Sequence, residues 1–367
     1  MTGMRFAVIG TGAGGCATAA ALCKAGHDVT MYGRHEDRRR AVERHGGLTL
    51  IENEQRWRTT SVHFTSDIAA AVKSASHVLV VVPTSAIISY GRAMAPFLAE
   101  GTRVLLAPGH TGGALAFRNA VESTMPGAGA RIGIAETCTL PFVARMTADA
   151  EVTVWRRTNN LLTGVLPAQA GSDIVAQFSA VFPAMRAVED VLTSSLSNLN
   201  AVMHPPGMIG NTGWVESTAG GFRFYSEGVT DGIGAMMRGI DGERTAIADA
   251  YGRPVLGFLE QFEAAGLVDH AAAAAGDFAA AVRSSGPNAL IKAPSSLRDR
   301  YVVEDVGCGL VAMAALGDAA GVHTPVIDSL IVLAGVVNGV DYFAAGLNAQ
   351  RLGIAGLNPD QIIELVQ

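Results

Sequence analysis

The stretch Gly10-Thr11-Gly12-Ala13-Gly14-Gly15 narrows what this chain can fold into more than any other, because of what flanks it. Before it, Arg5-Phe6-Ala7-Val8-Ile9 is a short apolar run of the kind that forms a buried parallel strand. After it, residues 16–25 are alanine-rich and predict a helix, Gly26 ends that helix, and residues 27–32 predict the next strand. In this setting each glycine has a task. Gly10 permits the tight turn, Gly12 lets a pyrophosphate approach the backbone, and Gly15 lets helix and strand pack closely. The phosphates would rest on free N–H groups at the helix start, where the helix dipole favours negative charge. Thr11, Ala13 and Gly14 complete the loop. The fold class that follows is α/β, with an N-terminal Rossmann domain built on a doubly wound parallel sheet.

The end of the second strand bears on the cofactor. NAD-selective versions of this unit usually place Asp or Glu there to bind the ribose 2′-hydroxyl. Here the residues are Tyr32-Gly33-Arg34, followed by Arg38, Arg39 and Arg40. A guanidinium in place of the carboxylate can pair with a 2′-phosphate, so Arg34 predicts NADP(H), with NAD(H) as the alternative. The competing reading makes these arginines a solvated helix face, partly offset by Glu36 and Asp37.

Strand signals recur at 77–82, ending in Pro83-Thr84-Ser85, and at 103–107, ending in Pro108-Gly109-His110-Thr111-Gly112-Gly113. Both loops fall at strand carboxyl ends, where such sheets bind ligands, so Pro83, Thr84, Pro108 and Gly109 are expected to line the nicotinamide. Runs at 131–135 and 151–155 are expected to complete the sheet. Past residues 185–190 the strand signals fade. Helical periodicity takes over at 196–203, 242–251, 254–264, 271–282, 309–320 and 324–337. Residues 1–188 therefore read as the nucleotide-binding domain and 189–367 as an all-α domain, which suits a chain of 367 residues.

Composition excludes several classes. A hydrophobic content of 49% with 16% charged residues indicates packed cores, and a net charge of −6 offers no basic footprint for nucleic acid. The apolar segment 326–340 holds Asp328 and Asn338 and is too short to cross a bilayer, so no membrane is expected. Cys16, Cys23, Cys138 and Cys308 have no metal-ligand spacing, and no metal site is expected. Cys16 and Cys23, two turns apart on one helix, suit core packing. Residues 1–5 lack the anatomy of a signal peptide, so the expected location is cytoplasmic. A homodimer is left open.

The chemistry of the second half centres on Ser194-Ser195-Leu196-Ser197-Asn198-Leu199-Asn200-Ala201-Val202-Met203-His204-Pro205-Pro206-Gly207. Leu196, Leu199, Val202 and Met203 recur at helical spacing, with Ser194 or Ser195 available as a cap. Asn200 and His204, four apart, share one face. Pro205 disfavours the α conformation at His204, which predicts that the histidine sits where the helix ends. A titratable ring there, with an amide one turn below, can hold and protonate a substrate oxygen. The plain alternative is that His204 caps the helix end.

Three further stretches, taken with part of this one, make the reading specific. The segment 198–207, Tyr225-Ser226-Glu227-Gly228-Val229-Thr230, Asp241-Gly242-Glu243-Arg244 and Arg300-Tyr301-Val302-Val303-Glu304-Asp305-Val306 are similar to motifs of the opine dehydrogenase family. They occur in the same order, together with Pro108-Gly109 and Thr111-Gly112-Gly113-Ala114-Leu115. The family's helical domain is of the 6-phosphogluconate-dehydrogenase-like kind. The resemblance implies an oxidoreductase that couples the amine of an amino acid to an α-keto acid and reduces the product with NAD(P)H. It makes His204 the general acid/base, Asp305 its carboxylate partner, Arg300 the binder of a substrate carboxylate and Asn200 a positioning group. Two departures stand out: Gly307 where relatives often have proline, which would loosen a loop, and Arg34 in place of an acidic residue.

That chemistry needs such residues. Amine and keto acid give a carbinolamine, which must lose water to become an imine before hydride adds. Loss of hydroxide at neutral pH calls for an acid that titrates near seven, and histidine fits. A carboxylate on the other ring nitrogen fixes the tautomer. A planar guanidinium holds a carboxylate bidentately. Arg300 and Asp305 could instead form a structural ion pair, with Arg298 or Asp299 standing in for either. Two other functions compete. One is a lysine-dependent reductase of a keto acid or sugar phosphate, of the ketopantoate reductase or glycerol-3-phosphate dehydrogenase type. The lysines are Lys24 and Lys73, on predicted nucleotide-domain helices, and Lys292, in a Gly/Pro/Ser-rich loop. The other is a non-catalytic NADP(H) sensor, which would not need His204, Arg300 and Asp305 together.

Overall fold

The structure, a computed structural model, describes residues 4–34, 36–179 and 181–367. The short lead-in at residues 1–3 lies outside them. The chain divides into two compact units, one of Met1–Gly109 and Gly113–Val191, the other of His110–Gly112 and Leu192–Gln367. The division falls at 191/192 instead of 188/189, and the helical unit also claims three residues from the loop after the 103–107 strand.

The first unit is built on an eight-stranded sheet. Its strands are β1 (Arg5–Ile9), β2 (Asp28–Tyr32), β5 (Val62–Thr65), β6 (His77–Val80), β7 (Arg103–Leu106), β8 (Gly133–Thr137), β11 (Leu161–Leu166) and β12 (Met185–Ala187). A hairpin of β3 (Leu48–Glu52) and β4 (Gln55–Thr59) precedes β5, and a second hairpin of β9 (Phe142–Ala148) and β10 (Glu151–Arg157) precedes β11. The large sheet runs β12-β11-β8-β7-β6-β1-β2-β5, parallel except for the β8–β11 pair. Strand order reverses between β1 and β6, the switch point at which a doubly wound sheet opens a crevice. The glycine turn leaves β1 at this point.

Residues 151–155 do not join that sheet. They lie in β10, which pairs with β3 and β9 in a separate four-stranded sheet, β4-β3-β10-β9. Their reassignment explains the alanine-rich helix Ala13–Lys24. Cys16, Ala17, Ala19, Ala20, Ala21 and Leu22 share one core with Phe6 and Val8 of the large sheet and with Leu48, Leu50, Val152 and Val154 of the small one. A helix covered on both sides by sheets has room only for small side chains. Cys16 is buried and Cys23 half-buried, both free thiols on this helix.

The second unit is helical, with differences from the periodicity. The expected helix 271–282 is two, His270–Ala274 and Phe278–Arg283, broken at Gly276 (φ +72°), and the 254–264 helix starts only at Phe258. The stretch after Asp305 is no loosened loop. Helix Arg300–Asp305 runs through one wide π turn, Val306–Leu310, into helix Val311–Ala320, and at Gly309 a Cβ would come 2.8 Å from that of Ala201. Glycine there lets this helix approach the one bearing His204. No single helix among the described residues is long and apolar enough to cross a membrane.

Candidate active site

In the first unit, the glycine turn is shaped for a ligand. Gly10 has φ +119°, and a Cβ on it would meet the Val81 carbonyl at 2.3 Å; one on Gly15 would meet the Gly10 carbonyl at 2.0 Å. These two glycines are required by packing. Gly12 is different, for a Cβ there would meet nothing within 4 Å. Gly12 is also the N-cap of helix Ala13–Lys24, which has no side-chain cap and no acidic residue in its first turn. Open space over an uncapped helix start fits a dinucleotide pyrophosphate, and Thr11, Ala13 and Gly14 frame it. Pro83 and Thr84 follow β6, with Thr84 buried. Pro108 and Gly109 follow β7, and the Gly109 N–H donates to the Thr137 carbonyl at 3.1 Å. The arginines separate into two groups. Arg39 and Arg40 pair with Glu36, and Arg38 donates to the Thr11 carbonyl at 3.3 Å. Arg34 presents an exposed side chain at the end of β2.

In the second unit, the histidine does not end a helix. Residues 196–203 are not one helix either: Val191–Leu196 stops, residues 197–199 form a link, and Asn200–Ile209 begins anew. Neither serine caps it. The Asn198 side chain accepts from the Asn200 N–H at 3.1 Å, and the Ser195 hydroxyl accepts from Gly112 N–H at 2.9 Å. Pro205 and Pro206 lie inside the helix, so His204 is interior. Proline's bias against α at the preceding residue is worth little against full burial, and 201–208 are all buried.

The ring of His204 is held on three sides. Its Nδ1 lies 2.7 Å from Asp305 Oδ2, and its Nε2 lies 2.9 Å from the Tyr225 hydroxyl. A carboxylate can only accept here, which places a proton on Nδ1 and leaves Nε2 to accept from Tyr225. The Tyr301 ring stacks on the imidazole at 3.6 Å and 4°. His204, Asp305 and Tyr225 are each about 95% buried. Tyr301 and Asp305 stand four apart on helix Arg300–Asp305, so one helix face supplies both the stack and the carboxylate. Burial, then the neighbouring Tyr301 and Asp305, pushes the Tyr225 phenol well above its ordinary range, while Arg300 pulls the other way. Burial also raises Tyr301.

Arg300 opens the same helix with an exposed side chain, its guanidinium 5.8 Å from the Tyr301 ring centre. Its charge reaches both phenols. Asn200 turns its amide toward His110 Nε2 at 3.5 Å, and the His110 ring lies 3.8 Å from Glu304. Asp299 caps the helix by accepting from Tyr301 N–H, and Arg298 donates to the Asn338 carbonyl, so neither stands in for its neighbour. The structure therefore brings His204, Asp305 and Arg300 into one cluster and adds Tyr225 and Tyr301, to which no role had been given. The i, i+4 spacing of Tyr301 and Asp305 was the available signal. A cavity of about 550 Å³ elsewhere in this unit, among Val311, Ala315, Phe343, Ile354 and Leu357, has Asp318 as its one charged lining group and touches none of these residues.

A Rossmann unit with an open glycine cradle, followed by a helical unit with a buried histidine–carboxylate pair, is the layout of a pyridine-nucleotide-dependent dehydrogenase with a helical second domain. Residues 187–338 match the family model described as the NAD/NADP octopine/nopaline dehydrogenase, alpha-helical domain, and residues 6–109 match that of ketopantoate reductase. An opine dehydrogenase of Arthrobacter sp. (strain 1C) is 32% identical over 99% of this chain and 98% of its own length. A vitopine synthase of Allorhizobium ampelinum is 25% identical over 81% of this chain and 80% of its own length. In fold the chain is similar to octopine dehydrogenase solved with NADH and L-arginine, with a TM-score of 0.82, 21% identity and coverage of 99% and 98%. The chain belongs to the opine dehydrogenase family, and it is an oxidoreductase acting on CH–NH groups with a pyridine nucleotide. The family-model match to ketopantoate reductase stops at residue 109. Lys24 ends the first helix, Lys73 lies 5.4 Å from the Phe97 ring centre and Lys292 forms an isolated backbone β-bridge with Arg223, so no lysine lies on a helix of the second unit.

Proposed function

We propose that this enzyme joins the amine of an amino acid to an α-keto acid and reduces the resulting imine, with NADP(H) preferred and NAD(H) accepted. The observation that carries the assignment of roles is the buried Asp305–His204 pair, 2.7 Å between Oδ2 and Nδ1, on the helix that Arg300 begins. Asp305 fixes the His204 tautomer and steadies the ring while it carries a second proton. His204 supplies the proton that turns the carbinolamine hydroxyl into water, and takes one back in the reverse direction. Arg300, exposed and adjacent, holds a substrate carboxylate through its fork of donors. Asn200, one turn before His204, orients the reacting group. The cofactor, held by residues 10–15 with Pro83, Thr84, Pro108 and Gly109 toward the nicotinamide, supplies the hydride when bound. The preference for the phosphorylated cofactor rests on Arg34, whose guanidinium is exposed while Arg39 and Arg40 are spent on Glu36. The free thiols suit a reducing cytoplasm.

The experiment is a matrix of amino acids against keto acids under NADPH, read by cofactor oxidation and by mass spectrometry for the secondary amine. Oxidation only with both substrates, slowed about a hundredfold or more in His204→Ala, is the expected result. Oxidation with keto acid alone would instead support a plain keto-acid reductase, and cofactor binding without turnover would support a sensor.

A further inference from the structure

The imidazole that the reaction asks to give up a proton has no ring nitrogen left to reach a substrate. Nδ1 is taken by Asp305 at 2.7 Å and Nε2 by the Tyr225 hydroxyl at 2.9 Å, while Tyr301 covers a ring face at 3.6 Å. The Tyr225 oxygen reaches further, to the Tyr301 hydroxyl at 3.4 Å, and lies within range of the Arg300 charge. Resting on the function proposed above, we infer that Tyr225 is the group that hands the proton to the carbinolamine oxygen, as a relay between His204 and substrate.

The step balances without another reactant. The imidazolium N–H at Nε2 passes its proton to the Tyr225 oxygen as the Tyr225 O–H passes its own to the carbinolamine hydroxyl. The C–O bond breaks, water leaves, and the nitrogen lone pair forms the C=N bond of the iminium. His204 ends neutral and Tyr225 ends as it began. In the oxidative direction each move reverses.

The tyrosine is suited to relay and not to store. Its burial disfavours the phenolate, so the hydroxyl can pass a proton only as it receives one. Its placement is also fixed. The turn that carries it is pinned to the 289–292 segment by the Phe224 N–H to the Ile291 carbonyl at 2.9 Å and by the Ser226 hydroxyl to the Ala289 carbonyl at 3.0 Å. The Arg223–Lys292 bridge adds to this. Phe224 meets the His204 ring edge-on at 6.0 Å between centres, closing a further side. A hydroxyl held this rigidly by backbone contacts, bonded to the His204 ring and within range of the Arg300 charge, has a place in a proton path that packing alone does not require.

The test compares Tyr225→Phe, His204→Ala and the double variant, each checked first for NADPH affinity and thermal midpoint. Tyr225→Phe is expected to lower kcat about a hundredfold with little change in either substrate KM, and the double variant to be no slower than His204→Ala alone. Tyr225→Phe near wild-type turnover, or an effect on KM alone, overturns the relay while leaving the role of His204 standing. Losses that multiply in the double variant also overturn it. A His204→Ala enzyme at wild-type rate would instead sink the underlying assignment. Should Tyr225→Phe fail to fold, the wild type decides. Single-turnover NADPH oxidation in mixtures of H2O and D2O should give a curved proton inventory, since two protons move together, and a straight line refutes the proposal.

Discussion

Replacing Asp305 by asparagine tests the carboxylate's part with little change of shape. Both partners are about 95% enclosed and 2.7 Å apart, so this is a charge-assisted hydrogen bond shielded from water. Bonds of that kind contribute about 1.5–3 kcal/mol net, against about 1 for neutral pairs. When the imidazole takes up its second proton, an amide opposite Nδ1 forfeits the charged part of that stabilisation. That part is about 0.5–2 kcal/mol, and at about 1.4 kcal/mol per tenfold in rate kcat should fall roughly 2- to 30-fold. The amide can also present N–H to Nδ1, which selects the wrong tautomer and pushes the loss toward the upper end. NADPH affinity should be unchanged, because residues 10–15 belong to the other compact unit. Initial rates of NADPH oxidation at saturating substrates, with cofactor fluorescence titration beside them, give both quantities. A kcat equal to wild type would mean that Asp305 serves folding only, and the mechanism would lose its orienting group.

Four other substitutions test the same structure. Arg34→Asp should move the kcat/KM ratio from NADPH toward NADH, and an unchanged ratio removes the 2′-phosphate contact. Gly12→Ala should leave the thermal midpoint of the free protein alone, since its Cβ meets nothing within 4 Å, while weakening cofactor binding in a titration; Gly10→Ala, whose Cβ would lie 2.3 Å from the Val81 carbonyl, should lower the midpoint itself. Arg244→Ala strips the fully buried guanidinium from Asp241 and from the Leu196 and Leu256 carbonyls, at a cost of about 3–5 kcal/mol in denaturant unfolding.

What the sequence disclosed was what local spacing controls. The glycine turn, the strands on either side and the shared face of Asn200 and His204 all follow from residues within a few positions of one another. The small sheet did not, because Gln55-Arg56-Trp57-Arg58-Thr59 is mostly exposed and carries no apolar alternation. Pro205 misled because burial of residues 201–208 outweighs a dipeptide preference. Tyr225 was invisible for a third reason. Its position is set by a turn tied to a segment more than sixty residues further along, and its partner His204 lies 21 residues before it.

The interior placement of His204 changes how the site is expected to work. A ring at a fraying helix end would search for its partners and lose orientational freedom on every turnover. Here that cost is met once, in folding. The link 197–199 ahead of the helix is fixed by side chains: Gln261 donates to the Ser197 carbonyl at 2.5 Å, and Asn198 donates to the Thr111 hydroxyl at 3.1 Å while accepting from Asn200 N–H. Arg244 holds the Leu196 carbonyl just before it. These bonds set where the His204 helix begins, and Asp305, Tyr225 and Tyr301 set where its ring points. Loosening the first group should therefore blunt turnover by shifting the His204 helix against the helix Arg300–Asp305, so that Nδ1 and the Asp305 carboxylate lose their alignment. Loosening the second should blunt turnover with the helix in place.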